Sequence, residues 1–144
     1  MLDPRTGVDL FVVHRALEER AYRAAVAAGA SGVTVAQARL LARVDDGGTR
    51  LGELAERALV TKQSAGHLVD QLERAGLVVR TPDPADGRAR LVRLTQRARA
   101  VVGPANAEVA AALGEWQELL GEELMGHLAD ALARLAEVCD PFRS

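Results

Sequence analysis

The chain has 144 residues, 49% of them apolar, one cysteine and a net charge of −2, enough for one modest core or one domain with an oligomerisation arm. A single cysteine, Cys139, excludes an intrachain disulfide framework and a multi-cysteine metal site. No apolar run approaches the roughly 18 residues of a membrane span, and residues 1–10 lack a basic flank followed by an apolar signal core, so the expectation is a cytoplasmic protein without a membrane partner, metal or cofactor.

The net charge conceals an uneven distribution. Residues 49–100 carry ten Lys/Arg against six Asp/Glu, residues 1–48 carry six of each, and residues 101–144 carry two Arg against eight acids. Positive charge is concentrated in the middle segment, as an electrostatic footprint for nucleic acid requires, although ordinary solvated arginines would give the same count.

In chain order, residues 9–28 read as a helix. Leu10, Phe11, Val13, His14, Leu17, Ala21, Ala24, Ala25 and Ala28 form an apolar face wider than a solvent-facing helix needs. Residues 29–32 break it. Thr34 with Gln37 three residues on is a capping box, predicting a second helix over 34–44 with Val35, Ala38, Leu41 and Val44 inward. After a turn at 45–48 and a short strand edge at Arg50 and Leu51, a third helix is expected over 52–59, with Leu54, Ala55 and Ala58 inward and Arg57 outward.

Thr61 can cap a fourth helix through the Ser64 amide. Ala65, Leu68, Val69, Leu72 and Ala75 recur at the three-and-four spacing of a buried face, leaving Lys62, Gln63, His67, Asp70, Gln71 and Arg74 on the other side. Gly76 stops this helix. Val78 to Arg80 and Leu91 to Leu94 flank a loop rich in Pro, Asp and Gly, which reads as a hairpin. Two short helices at a tight junction followed by a hairpin make a winged helix-turn-helix. The fold class expected is mainly α with a small β-hairpin.

Beyond Thr95 another helical region is interrupted by Pro104, where a bend is expected. Val109, Ala112, Leu113, Trp116, Leu119 and Leu120 continue its apolar face, and Leu124, Leu128, Ala131, Leu132, Leu135 and Val138 line a last helix opening on Glu122 and Glu123. The terminal helices carry more apolar surface than a winged core could cover, and a symmetric dimer is the commonest way to bury it.

For a DNA reader, the fourth helix would enter the major groove by its N-terminal end. Gln63 suits a bidentate contact with adenine and Lys62 a guanine or a phosphate, while Thr61 and Ser64 are read first as helix-positioning groups. Gly66 costs helix stability but would let a DNA backbone approach closely; a tolerated substitution is the alternative. In the hairpin, Asp83 and Asp86 lie near Arg88 and Arg90, and carboxylates there could fix the loop and leave a guanidinium free for a minor groove or phosphates. Arg88 is nearest the tip. Arg90 and Arg93 could equally be solubilising.

An enzymatic reading has little support. There is no phosphate-binding glycine loop, metalloprotease His pair or nucleophile elbow. His14, His67 and His127 are scattered, and His14 and His127 are read as core or interface residues rather than ligands. Cys139 is read as a small interface hydrophobe rather than a redox switch. Phe11, Tyr22 and Trp116 could line an effector cavity, or simply fill a core.

The stretch LGELAERALVTKQSAGHLVDQLERAGLVVRTPDPADGRARLVRLT, residues 51–95, resembles the winged-helix core of the MarR family of transcriptional regulators, most specifically in LVDQLERAGLVVR followed by DPADGRA and VRLT. The likeness extends more loosely over TVAQARLLARV and LGEELMGHLADALARL. It implies one MarR-like domain over 1–144, with a winged core at about 34–95 and dimerisation helices at about 9–28 and 96–140. It further implies a homodimer bound to a pseudo-palindromic double-stranded operator, usually as a repressor of nearby genes, and often released by a small aromatic or phenolic effector. By position Gln63, Ser64, Gly66 and His67 match the family's reading-helix contacts, Arg88 the wing arginine of the minor groove and Asp86 the wing carboxylate. Gly66 stands where a small hydroxyl residue is common, His67 where arginine is common, and Gly87 where the wing usually has a second arginine. The N-terminal cysteine of the peroxide-sensing branch is absent. The alternative is a winged-helix protein-interaction module that has lost sequence-specific DNA binding.

Overall fold

The computed structural model describes residues 1–140. Its elements in order are α1 (Arg5–Ala27), α2 (Val35–Leu41), β1 (Thr49–Arg50), α3 (Leu51–Arg57), α4 (Lys62–Arg74), β2 (Val78–Asp83), β3 (Asp86–Leu94), α5 (Gln96–Leu120) and α6 (Glu122–Cys139). The sheet has three antiparallel strands in the order β1-β3-β2. Mainly helical with a small sheet, the architecture has the class expected from the sequence.

The winged core closes on itself. Leu40, Leu54, Leu72, Val69, Val78 and Val92 are fully buried in one cluster, joined by Leu41, Ala55, Ala65, Leu77, Ala98 and Val101. Each leucine or valine among them removed from water contributes about 1.5–3 kcal/mol. α2, α3 and α4 therefore pack on the sheet and on the start of α5 as one body.

Caps set the element ends. Thr34 Oγ accepts from the Gln37 amide while Gln37 Oε1 accepts from the Thr34 amide, the reciprocal box expected. Thr61 accepts from the Ser64 amide at 3.0 Å to start α4. At its other end the Gly76 amide reaches Glu73 O, the Leu77 amide reaches Leu72 O, and Gly76 takes φ +73°, which closes the helix in a Schellman motif. The same pattern ends α3: the Leu59 amide bonds Glu56 O and the Val60 amide bonds Ala55 O. Here the left-handed position is occupied by Leu59, at φ +56° and 92% exposed.

Several details differ from the sequence reading, each for a local reason. α1 begins at Arg5, a turn before residue 9, because a helix can open at Pro4 without needing its amide. α2 ends at Leu41, and residues up to Val44 continue only as turns. Val35, at the first position of α2, is exposed, and Leu40 takes the buried place instead. Ala75 is exposed at the end of α4. Arg57 turns inward over its aliphatic stem, only 12% exposed, and pairs with Asp45 and Glu53. The hairpin strands run further, over Val78–Asp83 and Asp86–Leu94, with a register shift at Pro82/Asp83. α5 passes through Pro104 without a clean stop, as the sequence reading expects.

The flanking helices are a contrast. α1 packs along α5, and Arg20 clasps Glu108 and, with two nitrogens, Glu115 at 2.6 and 2.9 Å. Yet neither α1 nor α6 contains a buried residue. Val8, Leu10, Phe11, Val12 and Val13 on α1 and Leu124, Leu132, Leu135 and Val138 on α6 all remain exposed. No helix of the described residues is long and apolar enough to cross a membrane.

Candidate nucleic-acid interface

The buried stripe of α4, Ala65, Val69 and Leu72, fixes which face of the helix is turned outward. Lys62, Gln63, Ser64 and His67 are exposed on the N-terminal half. That end carries the free amides and the positive dipole end that favour a phosphate. The Ser64 hydroxyl is engaged by Thr61 Oγ at 2.9 Å and so belongs to the cap in the free protein.

Gly66 is half-buried on α4. A methyl group built there would lie 3.7 Å from a terminal methyl of Leu51, in ordinary contact with α3.

His67 belongs to a line of side chains that the sequence reading does not join. Gln37 Nε2 donates to Gln71 Oε1 at 2.9 Å, and Gln71 Nε2 lies 3.1 Å from His67 Nε2. Spacing puts Gln71 on the outer face of α4, but its partner on α2 is 34 positions away in the chain, and spacing within one helix cannot show that.

The wing is held at its base. Arg50 directs Nε and Nη2 to Asp83 Oδ2 at 2.9 and 2.7 Å, and Asp83 Oδ1 accepts from the Ala85 amide. The Ala85 amide first, and Arg50 second, hold the Asp83 carboxyl below the usual carboxylate range. Asp86 Oδ1 accepts from the Arg88 amide at 3.1 Å and shapes the tip. The two aspartates thus act on loop backbone and on Arg50, and neither is paired with the Arg88 or Arg90 guanidinium among the described residues. Arg50, expected only as a strand edge, is the residue missed; its one signal is a charge at the start of a helix, which many solvated arginines share.

A second tie runs from β2 to the C-terminal half of α4, where Arg80 meets Asp70 at 2.7 Å and Glu73 at 3.1 Å. Arg93 donates to Gly47 O and Arg97 to Ala75 O. Arg90 reaches across the hairpin to Arg80 O of β2 at 3.3 Å. After these commitments, Lys62 and Arg88 make no ion pair or side-chain hydrogen bond among the described residues, and both are exposed. An exposed polar helix N-terminus beside a pinned hairpin with an uncommitted arginine is a surface shaped for a groove and its neighbour.

Away from this face, α1, α2 and α5 enclose a largely apolar cavity of about 310 Å³. Leu17, Ala21, Val33, Leu41, Val101 and Val109 are among its walls. Tyr22 also lines it and donates its hydroxyl to Val33 O at 2.6 Å. Phe11 and Trp116 do not line it: Phe11 is 61% exposed on the outer half of α1, and Trp116 lies further along α5 than the cavity reaches. On its rim Arg39 grips Glu18 at 2.7 and 2.9 Å, which pulls the Glu18 carboxyl below its ordinary range, and His14 stands 3.5 Å from the same carboxylate. No group of His, Cys, Asp and Glu among the described residues is arranged to hold a metal ion.

Helix-turn-helix, pinned wing and basic outer face define a winged-helix DNA-binding transcription regulator. Residues 31–89 match the model of the MarR family. The chain is 32% identical over 113 residues to the HTH-type transcriptional regulator FarR of Neisseria gonorrhoeae, covering 78% of this chain and 77% of FarR. Among solved structures it is similar to CouR from Rhodococcus jostii RHA1 bound to p-coumaroyl-CoA, with TM-score 0.72, 26% identity and coverage of 98% of this chain and 96% of that one. It is also similar to NadR in complex with 4-hydroxyphenylacetate, with TM-score 0.75, 27% identity and 96% of each chain covered. The chain belongs to the MarR family of transcription regulators. That family consists of regulators rather than enzymes.

Proposed function

We propose that the protein acts as a homodimer on a pseudo-palindromic operator, repressing nearby genes, and that a small aromatic molecule in the α1–α2–α5 cavity releases it. The observation that carries the DNA contacts is the contrast among basic residues around the wing. Arg50, Arg80, Arg93 and Arg97 are spent on internal partners, while Lys62 and Arg88 are left to the solvent on the face that meets DNA. Each α4 enters a major groove with Lys62, Gln63 and His67 toward the bases or phosphates, Ser64 and Gly66 hold the helix frame, and Arg88, with Arg90 behind it, reaches the adjacent minor groove. Asp83 and Asp86 support that wing.

The dimer reading is supported by the terminal helices, whose apolar side chains are left exposed by the described residues. Residues of α1 with those of α5 and α6 are the dimerisation region, and residues 34–95 the DNA-binding core. The effector reading is supported by the size and apolar walls of the cavity and by the aromatic ligands of CouR and NadR. Tyr22 is the aromatic residue placed to meet such a ligand.

The test is selection of bound sequences from a random duplex pool, followed by titration of the winner at two salt concentrations. An enriched inverted repeat with half-sites about one helical turn apart, bound more weakly at higher salt, is the expected result. A folded protein that enriches no duplex would overturn it. Titrating aromatic acids into the resulting complex then tests the effector: a saturable loss of DNA affinity supports it, and no change across the series removes it.

A further inference from the structure

The line of side chains between α2 and α4 has a direction, and the direction is imposed by a backbone amide. The Thr34 N–H can only donate, so the Gln37 atom facing it at 3.1 Å is the carbonyl oxygen Oε1. Gln37 Nε2 is then the amide nitrogen, and it donates to Gln71 Oε1 at 2.9 Å. Gln71 must in turn present its own NH2 to His67 Nε2, 3.1 Å away. An amide NH2 has no lone pair to offer, so His67 Nε2 is the acceptor and the imidazole proton sits on Nδ1. His67 is exposed on the outer face of α4, and its Nδ1 has no partner among the described residues.

We infer that His67 is a specificity-determining residue whose tautomer is set by Gln71 and Gln37, so that it presents one hydrogen-bond donor, Nδ1–H, to the major groove. The inference rests on the DNA-binding reading above and adds to it the chemistry that His67 recognises. A single outward donor matches an acceptor on a base edge. Guanine and adenine offer N7 there and thymine offers O4, whereas cytosine offers a donor at N4. His67 therefore selects against cytosine at the base it faces and does not by itself separate guanine, adenine and thymine. Gln37 and Gln71 touch no DNA in this arrangement; they are positioning residues. Spacing marks Gln71 as part of the outer face of α4, whereas Gln37 lies outside it, in the capping box of another helix.

The experiment has two arms on the full chain. First, nitrogen NMR of the imidazole rings in mildly alkaline buffer, with the His67 signal identified by its loss in His67→Asn, reads the tautomer without DNA. The expected result is Nδ1–H in the native protein and a shift toward Nε2–H in Gln71→Met, with His14 and His127 unmoved. An Nε2–H signal in the native protein, or one indifferent to Gln71→Met, overturns the relay.

Second, duplex selection is repeated with variants. In His67→Asn the introduced amide nitrogen falls near the place of Nδ1, so this variant keeps the preference against cytosine at one base per half-site. His67→Gln reaches toward the place of Nε2 instead, and it and Gln71→Met lose that preference while binding the native site on the order of tenfold more weakly, the worth of one neutral hydrogen bond. Unchanged preference in His67→Gln overturns the reading role of His67. If the native protein selects no duplex at all, the DNA-binding reading itself fails, and the tautomer arm still decides whether the relay exists.

Discussion

Leu54, Leu72 and Val92 of the winged core are covered entirely by side chains of their own chain, whereas Phe11 and Val12 of α1 and Leu132 and Leu135 of α6 face outward. Both regions are amphipathic helices of ordinary composition, so residue type alone does not separate them. The difference lies in what each face meets. Short α2, α3 and α4 surround one another and a sheet, and their stripes are consumed. Long α1 and α6 present a stripe to one neighbour and are left with a second that no side chain of the described residues covers. An apolar residue thus reports on the fold of the chain in the first region, and in the second it bears on the proposed dimer.

The sharpest way to break that contrast is to truncate one residue from each side. Leu72→Ala in the core is expected to cost about 2–5 kcal/mol and to lower the denaturant midpoint at every protein concentration. Leu135→Ala should act instead through association, with a loss of stability that grows on dilution. Equal, concentration-independent losses would show that α6 packs within its own chain. Phe11→Asp extends the test: it should yield a folded monomer by sedimentation with near-native far-UV circular dichroism, and a dimer of native affinity would remove Phe11 from the interface.

A smaller effect separates the wing from both regions. Arg88→Ala should weaken binding to the selected operator by about 1–3 kcal/mol and reduce the salt slope by about one, leaving the dimer intact. Unchanged affinity would take Arg88 out of the contact. Lower still is the tie at the base of the wing. Asp83 is held below its ordinary value of about 4 when folded, so its contribution is fully present above that pH and is lost as pH falls through the lowered value. Asp83→Asn should flatten this part of the acid limb of the stability curve; an acid limb unchanged in shape would count against the Arg50–Asp83 tie. The smallest change concerns Gly66. Its methyl would meet only Leu51 at ordinary distance, so Gly66→Ala should stabilise the protein by about 0.5–1 kcal/mol and leave operator affinity unaltered. A loss of affinity there would mean that DNA does come close to this position.

Much of the winged core is legible in the sequence because its signals are local. The Thr34–Gln37 box, the Thr61 cap, the Ala65–Val69–Leu72 stripe and Gly76 each act within about two turns of helix. What escapes reading depends on partners far along the chain. Arg50 finds Asp83 and Gln37 finds Gln71 only after the sheet and helices have come together. Arg57 reads as an outer residue when its charge is considered alone, yet it is only 12% exposed and pairs with Asp45 from the turn before β1. Leu59 carries no turn signal, yet it takes a left-handed conformation more usual for glycine, since the tight junction between α3 and α4 demands it. The aromatics mislead in a similar way: Phe11, Tyr22 and Trp116 share a side-chain type, but only Tyr22 reaches the cavity, and helix position decides that.

The measurement that bears most directly on the division between core and flanking helices is the mass of the protein, alone and on its selected duplex, by sedimentation equilibrium. The expected values are twice the 15.3 kDa chain mass in solution and two chains on one inverted repeat. A 15.3 kDa particle that occupies a single half-site with full affinity would contradict it, since the apolar faces of α1 and α6 would then have no second copy to cover them.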